Sequence, residues 1–273
     1  MRGPQVITAG LAAVAASAVV VGCASGDLTG GSSGSSSGAA GSQLGVSAPA
    51  AGLVTVLAAA SLRQTFTTLA KRFETMHPGV HVRLSFGASS TLAQQLKQGL
   101  PADVFASAST TNMKQVADAG AVSSSTSFAR NTMRIAVPPG NPARIGGLSD
   151  LARGGVKLAL CQPQVPCGAT AAKVFENARI TVKPVTLEAD VSSTLTKVEL
   201  NEVDAAVVYV TDVRAAGARV KGIDIPSDLN ASTEYPIATL NRAPYPAGAK
   251  AFVDYVLSAD GASVLAAAGF GQP

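Results

Sequence analysis

From residue 53 onward two patterns alternate along the chain. Short continuous apolar runs give way, after Ser, Gly or Pro, to stretches with apolar residues every three or four positions. The first run, Leu53-Val54-Thr55-Val56-Leu57-Ala58-Ala59-Ala60, predicts a strand buried on both faces, as in parallel sheets. Ser61 reads as an N-cap. Leu62, Phe66, Leu69, Phe73 and Met76 then mark a helix with one buried stripe, ended by Pro78-Gly79. Residues 80–86 predict a second strand. Gly87-Ala88-Ser89-Ser90-Thr91 predicts a tight turn into a short helix carrying Leu92 and Leu96, stopped by Gly99-Leu100-Pro101. Residues 104–106 give a short strand, and Ser109 or Thr110 caps a helix closed by Gly120. Further strands are expected at 133–137, 156–160 and 205–210, with extended segments at 181–187 and 237–240. Helices are expected at 169–178, 191–200, 247–257 and 261–268. This repeated strand–turn–helix order predicts an α/β fold on mostly parallel sheets with right-handed crossovers.

The first fifty residues follow neither pattern. Residues 6–21 form an apolar stretch of 16 behind Arg2, short for a membrane span, which needs about 20 residues. The stretch ends in Val20-Val21-Gly22-Cys23. It reads as an export signal over residues 1–22, and the ending resembles the bacterial lipobox, in which Cys23 becomes the lipidated first residue. Residues 24–50 hold seven Gly and eight Ser. Such a segment buries too little apolar surface to offset the entropy of ordering, so residues 23–50 read as a lipidated Cys with a flexible tether.

Composition narrows the function. Hydrophobic residues make up 47% and charged residues 14%, enough for a sizeable core. Eight Phe, four Tyr and no Trp disfavour ligands held by aromatic stacking. Net charge is +4, with no run of Lys or Arg, which argues against a nucleic-acid partner. With Cys23 assigned to lipid, Cys161 and Cys167 remain. Outside the membrane they read as a disulfide; free thiols and a metal pair are the alternatives, and His77 and His81 are the only histidines available to a metal.

Candidate chemistry lies where strands hand over to helices. Ala59-Ala60-Ser61-Leu62, Gly87-Ala88-Ser89-Ser90-Thr91 and Val165-Pro166-Cys167-Gly168-Ala169 all lie at such points. There, free N–H groups and helix dipoles favour an anion, and small residues let it approach. Asp190-Val191-Ser192-Ser193 offers a fourth helix start, and Tyr209 a phenolic O–H at the end of a buried strand. Taken singly, each Ser is more commonly a simple cap. Arg63 reads as a solvent-exposed residue, Asp103 as a partner for local backbone groups and Asp212 as a helix start. No Gly-x-Ser-x-Gly elbow, Walker A loop or His-Glu-x-x-His is present, and no His is paired with an Asp for nucleophilic catalysis, so no enzyme is expected.

Val56-Leu57-Ala58-Ala59-Ala60-Ser61-Leu62, Phe86-Gly87-Ala88-Ser89-Ser90-Thr91, Pro101-Ala102-Asp103-Val104-Phe105-Ala106, Val165-Pro166-Cys167-Gly168 and Val207-Val208-Tyr209-Val210-Thr211-Asp212 occur in an order that resembles the periplasmic molybdate-binding proteins of ABC importers. The resemblance implies a two-lobed class II periplasmic-binding-protein fold, each lobe a mostly parallel sheet flanked by helices, with the ligand cleft between lobes. Lobe 1 would hold residues 51–130 plus 236–273, and lobe 2 residues 131–235. It implies an oxyanion held by neutral donors: Ser61 and Ser89 through hydroxyl and N–H, Cys167 and Val191 through N–H, and Tyr209 through its hydroxyl, with Ser90 in reserve. It implies no cofactor, and molybdenum only as the bound molybdate or tungstate oxyanion. It also implies a monomer that serves a membrane permease. Sulfate, phosphate or another small oxyanion is the alternative cargo.

Overall fold

The computed structural model describes residues 51–273. The expected signal segment, Cys23 and the Gly/Ser tether lie outside the described residues. The chain opens with β1 (Gly52–Ala59), a 3-10 turn at Ala60–Leu62 and α1 (Arg63–Met76). Val54, Val56 and Ala58 pack into one apolar cluster with Phe66, Leu69 and Phe73, while Leu57 packs into another with Leu92, Leu96 and Phe105. The strand is thus covered on both faces, which is why its sequence is a continuous apolar run. β2 (Val80–Gly87) and β3 (Val104–Ala106) flank it in parallel. α2 (Ser89–Lys97) and α3 (Thr110–Asp118) lie between these strands in sequence, and the Ser109 hydroxyl caps α3 by accepting from Asn112 N at 3.4 Å.

β4 (Thr126–Val137) then runs from one sheet into a second. Residues Thr126 to Thr132 pair antiparallel with β9 (Ser232–Thr239), and Met133 to Ala136 pair antiparallel with β7 (Ala205–Tyr209). The second sheet continues with β5 (Leu158–Cys161) and β6 (Thr186–Glu188), in parallel with its neighbours, and β8 (Lys221–Ile223) joins β4. α4 (Pro166–Ala178), α5 (Val191–Glu199) and α6 (Val210–Ala216) pack on this sheet. β9 returns to pair with β3, and α7 (Pro246–Leu257) and α8 (Ala259–Ala268) complete the first group. The fold is the α/β class read from the residues, in the two-lobed form the resemblance implies.

The structure refines several expectations. The sheets are mixed: β9 re-enters the first sheet without a crossover helix and lies antiparallel to both β3 and β4. β4 begins seven residues before Met133, because its first half alternates buried and exposed positions and carries Arg130 and Asn131. β9 likewise begins at Ser232 rather than 237. Val210 opens α6 instead of ending β7, and the extended segment at 181–187 yields a strand only over Thr186–Glu188.

Candidate functional site

A small cavity lies where the two sheets meet. One side is formed by the end of β1 and the starts of the 3-10 turn and α2, with Ala60, Ser61 and Ser89; the other by the starts of α4 and α5 and the end of β7, with Cys167, Val191 and Tyr209. The cavity volume is about 20 Å³, far below the roughly 300 Å³ at which pockets for drug-sized ligands begin. Only a ligand of a few atoms matches a space on that scale. The structure therefore brings Ser61, Ser89, Cys167, Val191 and Tyr209 to one place. Ser90 is half-buried in the first turn of α2 and is not part of the lining.

The serines do not act as the caps the sequence suggested. Ser61 sits inside the 3-10 turn, and Ala88, not a hydroxyl residue, is the N-cap of α2. Ser61 Oγ lies 2.8 Å from the Tyr235 hydroxyl. Ser89 Oγ accepts from Ala108 N at 2.9 Å. With an oxygen lone pair of Ser89 taken by this backbone donor, its proton is left for another acceptor. Tyr209 is 1% exposed, and its hydroxyl has no hydrogen-bond partner among the described residues. Burial drives the Tyr209 pKa well upward.

Three helix starts supply backbone donors. Leu92, Ala169 and Thr194 are the first residues whose N–H bonds back to the N-cap carbonyls of α2, α4 and α5. The N–H groups of Ser89, Cys167 and Val191 precede them and have no partner within their helices. At α5 the Asp190 carboxylate accepts from Ser193 N at 2.9 Å, which leaves Val191 N free of that cap.

Cys161 and Cys167 form a disulfide, with Cα atoms 5.8 Å apart, so the thiol and metal alternatives fall away. The loop between them is tight enough that a Cβ on Gly168 would run into the Gln162 and Cys161 carbonyls. Cys167 lines the cavity while its sulfur is tied to Cys161.

Among the described residues no Lys or Arg lines the cavity, and Asp190, whose carboxylate caps α5, is the one charged residue in its lining. Arg63 is exposed, stacks 4.6 Å over the Phe86 ring and borders an adjoining groove together with Arg219. Asp212, behind Tyr209, is buried. Its pKa is pushed up to about 7 by burial, against the bond from Tyr209 N at 3.0 Å and with the help of the Asp190 charge. Asp103 accepts from Thr55 N at 2.7 Å and Tyr245 N at 2.6 Å, partners distant in sequence rather than local ones.

Residues 54–271 match the family of bacterial extracellular solute-binding proteins. The chain belongs to that family. This solute-binding protein is 41% identical over 221 residues to the molybdate-binding protein ModA of Mycobacterium tuberculosis, covering 81% of this chain and 85% of that one. It is 32% identical over 235 residues to ModA of Escherichia coli, covering 80% and 89%. In fold it is similar to the periplasmic molybdate-binding protein of Azotobacter vinelandii, with a TM-score of 0.73, 19% identity and coverage of 81% and 99%. Two neighbours of the site escaped sequence reading. Asn131 and Tyr235 lie on β4 and β9 and reach Ser61 only through the fold; no local motif marks either of them.

Proposed function

We propose that this solute-binding protein captures molybdate, and tungstate with it, outside the cytoplasm and delivers the ion to the membrane permease of an ABC importer. The observation that carries this reading is a small cavity where Ser61, Ser89, Tyr209 and the starts of α4 and α5 meet, with no Lys or Arg and only Asp190 as a charged residue in its lining. Fixed dipoles that need no reorganisation can hold a dianion in a site shielded from water. An ion without protons accepts at every oxygen, which matches a wall made of donors. The similarity to the two ModA proteins supports molybdate over other tetrahedral dianions. Cavity size is the lever against sulfate, and molybdate and tungstate are close enough in size to compete.

On this reading Ser61 and Ser89 donate through hydroxyl and N–H, Cys167 and Val191 through N–H, and Tyr209 through its phenol. The lobes divide at residues 51–130 plus 236–273 and 131–235. The separation of the apolar clusters, one drawing on 133–225 and two on 54–129 and 235–270, supports this division. Ala60 and Ala88 join the second-lobe cluster at the cavity. An ion that bridges both walls favours the closed arrangement by binding it better. No chemical step and no cofactor is involved; molybdenum arrives only as cargo. The protein acts as a monomer held at the outer face of the membrane through lipidated Cys23, whose tether raises its effective concentration near the permease.

A thermal-shift series with molybdate, tungstate, sulfate, phosphate and a neutral sugar tests the assignment. Molybdate and tungstate are expected to raise Tm at micromolar concentration, and the sugar not at all. A larger shift with sulfate or phosphate would reassign the cargo.

A further inference from the structure

Behind Ser61 a line of buried polar groups has a direction that can be worked out atom by atom. Thr132 N donates to Asn131 Oδ1 at 3.1 Å, which fixes the amide so that its nitrogen faces the other way. That nitrogen donates to Thr211 Oγ1 at 2.7 Å and, more weakly, to the Tyr235 oxygen at 3.4 Å. Tyr235 therefore accepts on the Asn131 side, and its own proton is available for Ser61 Oγ at 2.8 Å. The 2.8 Å contact fits either direction, and with the Tyr235 proton given to Ser61 the Ser61 proton is left for the cavity. All of these side chains are buried: Asn131 is 2% exposed, Tyr235 0% and Ser61 8%. That burial raises the Tyr235 phenol well above the ordinary tyrosine range.

We infer that Tyr235 and Asn131 are positioning residues that lock Ser61 as a hydrogen-bond donor toward the ligand. The inference rests on the reading of Ser61 as a ligand donor and adds how that donor is set. Ser89 has the same polarity by a different device, since Ala108 N takes its oxygen. Both hydroxyls on this wall are then donors before any ligand arrives. A ligand that offers its own O–H at Ser61 meets a proton already pointing at it. Tyr235 and Asn131 thus add discrimination against protonated oxyanions, such as phosphate at neutral pH, to the discrimination by size. Their placement gives a second consequence. Asn131 and Tyr235 sit on β4 and β9, the strands that connect the two sheets, and Thr211 sits on α6, two residues from Tyr209. The orientation of a donor on one wall is thereby tied to an element of the other wall.

The test is a double-mutant cycle read by calorimetry with molybdate on the full chain. Ser61→Ala, Tyr235→Phe and the double variant are compared with the parent protein, and each is titrated with phosphate as well. Tyr235→Phe keeps the ring and its aromatic packing. It is expected to weaken molybdate roughly 10-fold and to narrow the gap between molybdate and phosphate. In the Ser61→Ala background the same change is expected to cost nothing further, because Tyr235 acts through Ser61. An equal loss in both backgrounds, or no loss from Tyr235→Phe alone, would overturn the inference and leave the site intact. If Ser61→Ala itself binds molybdate as the parent does, the assignment of Ser61 to the site fails instead. Should Tyr235→Phe not fold, Asn131→Leu carries the same cycle: it removes the donor that orients Tyr235 without touching Ser61, and the same pattern of loss and cancellation is required of it.

Discussion

Tyr209 places a phenol in the core without a hydrogen-bond partner, a costly arrangement for the ligand-free protein and a useful one for a donor. Tyr209→Phe is therefore expected to raise the stability of the ligand-free protein by about 1 kcal/mol while weakening molybdate roughly 10-fold. Urea denaturation and calorimetry on the same variant check the two signs; a loss of both stability and affinity would mean the hydroxyl has a structural role. Asp212 makes a pH-dependent prediction. Its carboxyl is raised from the ordinary 3.8 to about 7. Between those values the folded protein keeps a proton that the unfolded chain has lost, so this group's contribution falls as pH rises through that window and is level above it. Asp212→Asn is expected to remove that fall, gaining on the parent protein with rising pH by up to a few kcal/mol. A difference between the two that does not vary from pH 4.5 to 8 would contradict the assignment. At this scale the sequence was informative about which residues stand at helix starts. Ser61, Ser89, Cys167 and Val191 lie at such starts and meet at the cavity. The local role given to the serines as caps was not right, because their oxygens are engaged by Tyr235 and Ala108 from remote segments. Position along a pattern predicts where a side chain sits and says little about which distant atom it meets.

The start of α4 shows how an element carries a donor. Pro166 stands in its first turn, where a missing N–H costs nothing. The disulfide and the close passage of Gly168 against Gln162 fix the preceding loop. Replacing both Cys161 and Cys167 by Ser is expected to lower stability by about 2 kcal/mol and to weaken molybdate, read by urea denaturation and calorimetry. Gly168→Ala has no space for its methyl group and must displace the loop, so it is expected to weaken binding with the disulfide intact. Unchanged affinity in both variants would remove Cys167 N from the site. Apolar runs and helical stripes located β1, α1, β3 and β7 to within a residue or two. The first half of β4 and the start of β9 were missed for a physical reason. They pair with each other, bury only part of each face and carry polar residues such as Asn131 and Glu234, so neither a continuous apolar run nor a helical stripe appears.

For the whole molecule, the two sheets share β4, and the site lies where their helix starts face each other. The family and its two-lobed architecture were legible because several short motifs recur in order along the chain. The antiparallel return through β9 was not, since nothing local distinguishes a strand that re-enters a sheet from one that follows a crossover. An ion that binds only the folded, closed arrangement stabilises it in proportion to the logarithm of its free concentration. Tm is thus expected to climb steadily with molybdate, and tungstate to displace molybdate one for one in a competition titration. The central claim is that uncharged donors from both walls hold the dianion, and its most direct test is calorimetry of molybdate binding to the Ser61→Ala/Ser89→Ala double variant. Loss of two hydroxyl donors to a buried charge is expected to weaken binding by at least about a hundred-fold while the ligand-free protein stays folded. Affinity equal to that of the parent protein would contradict the account.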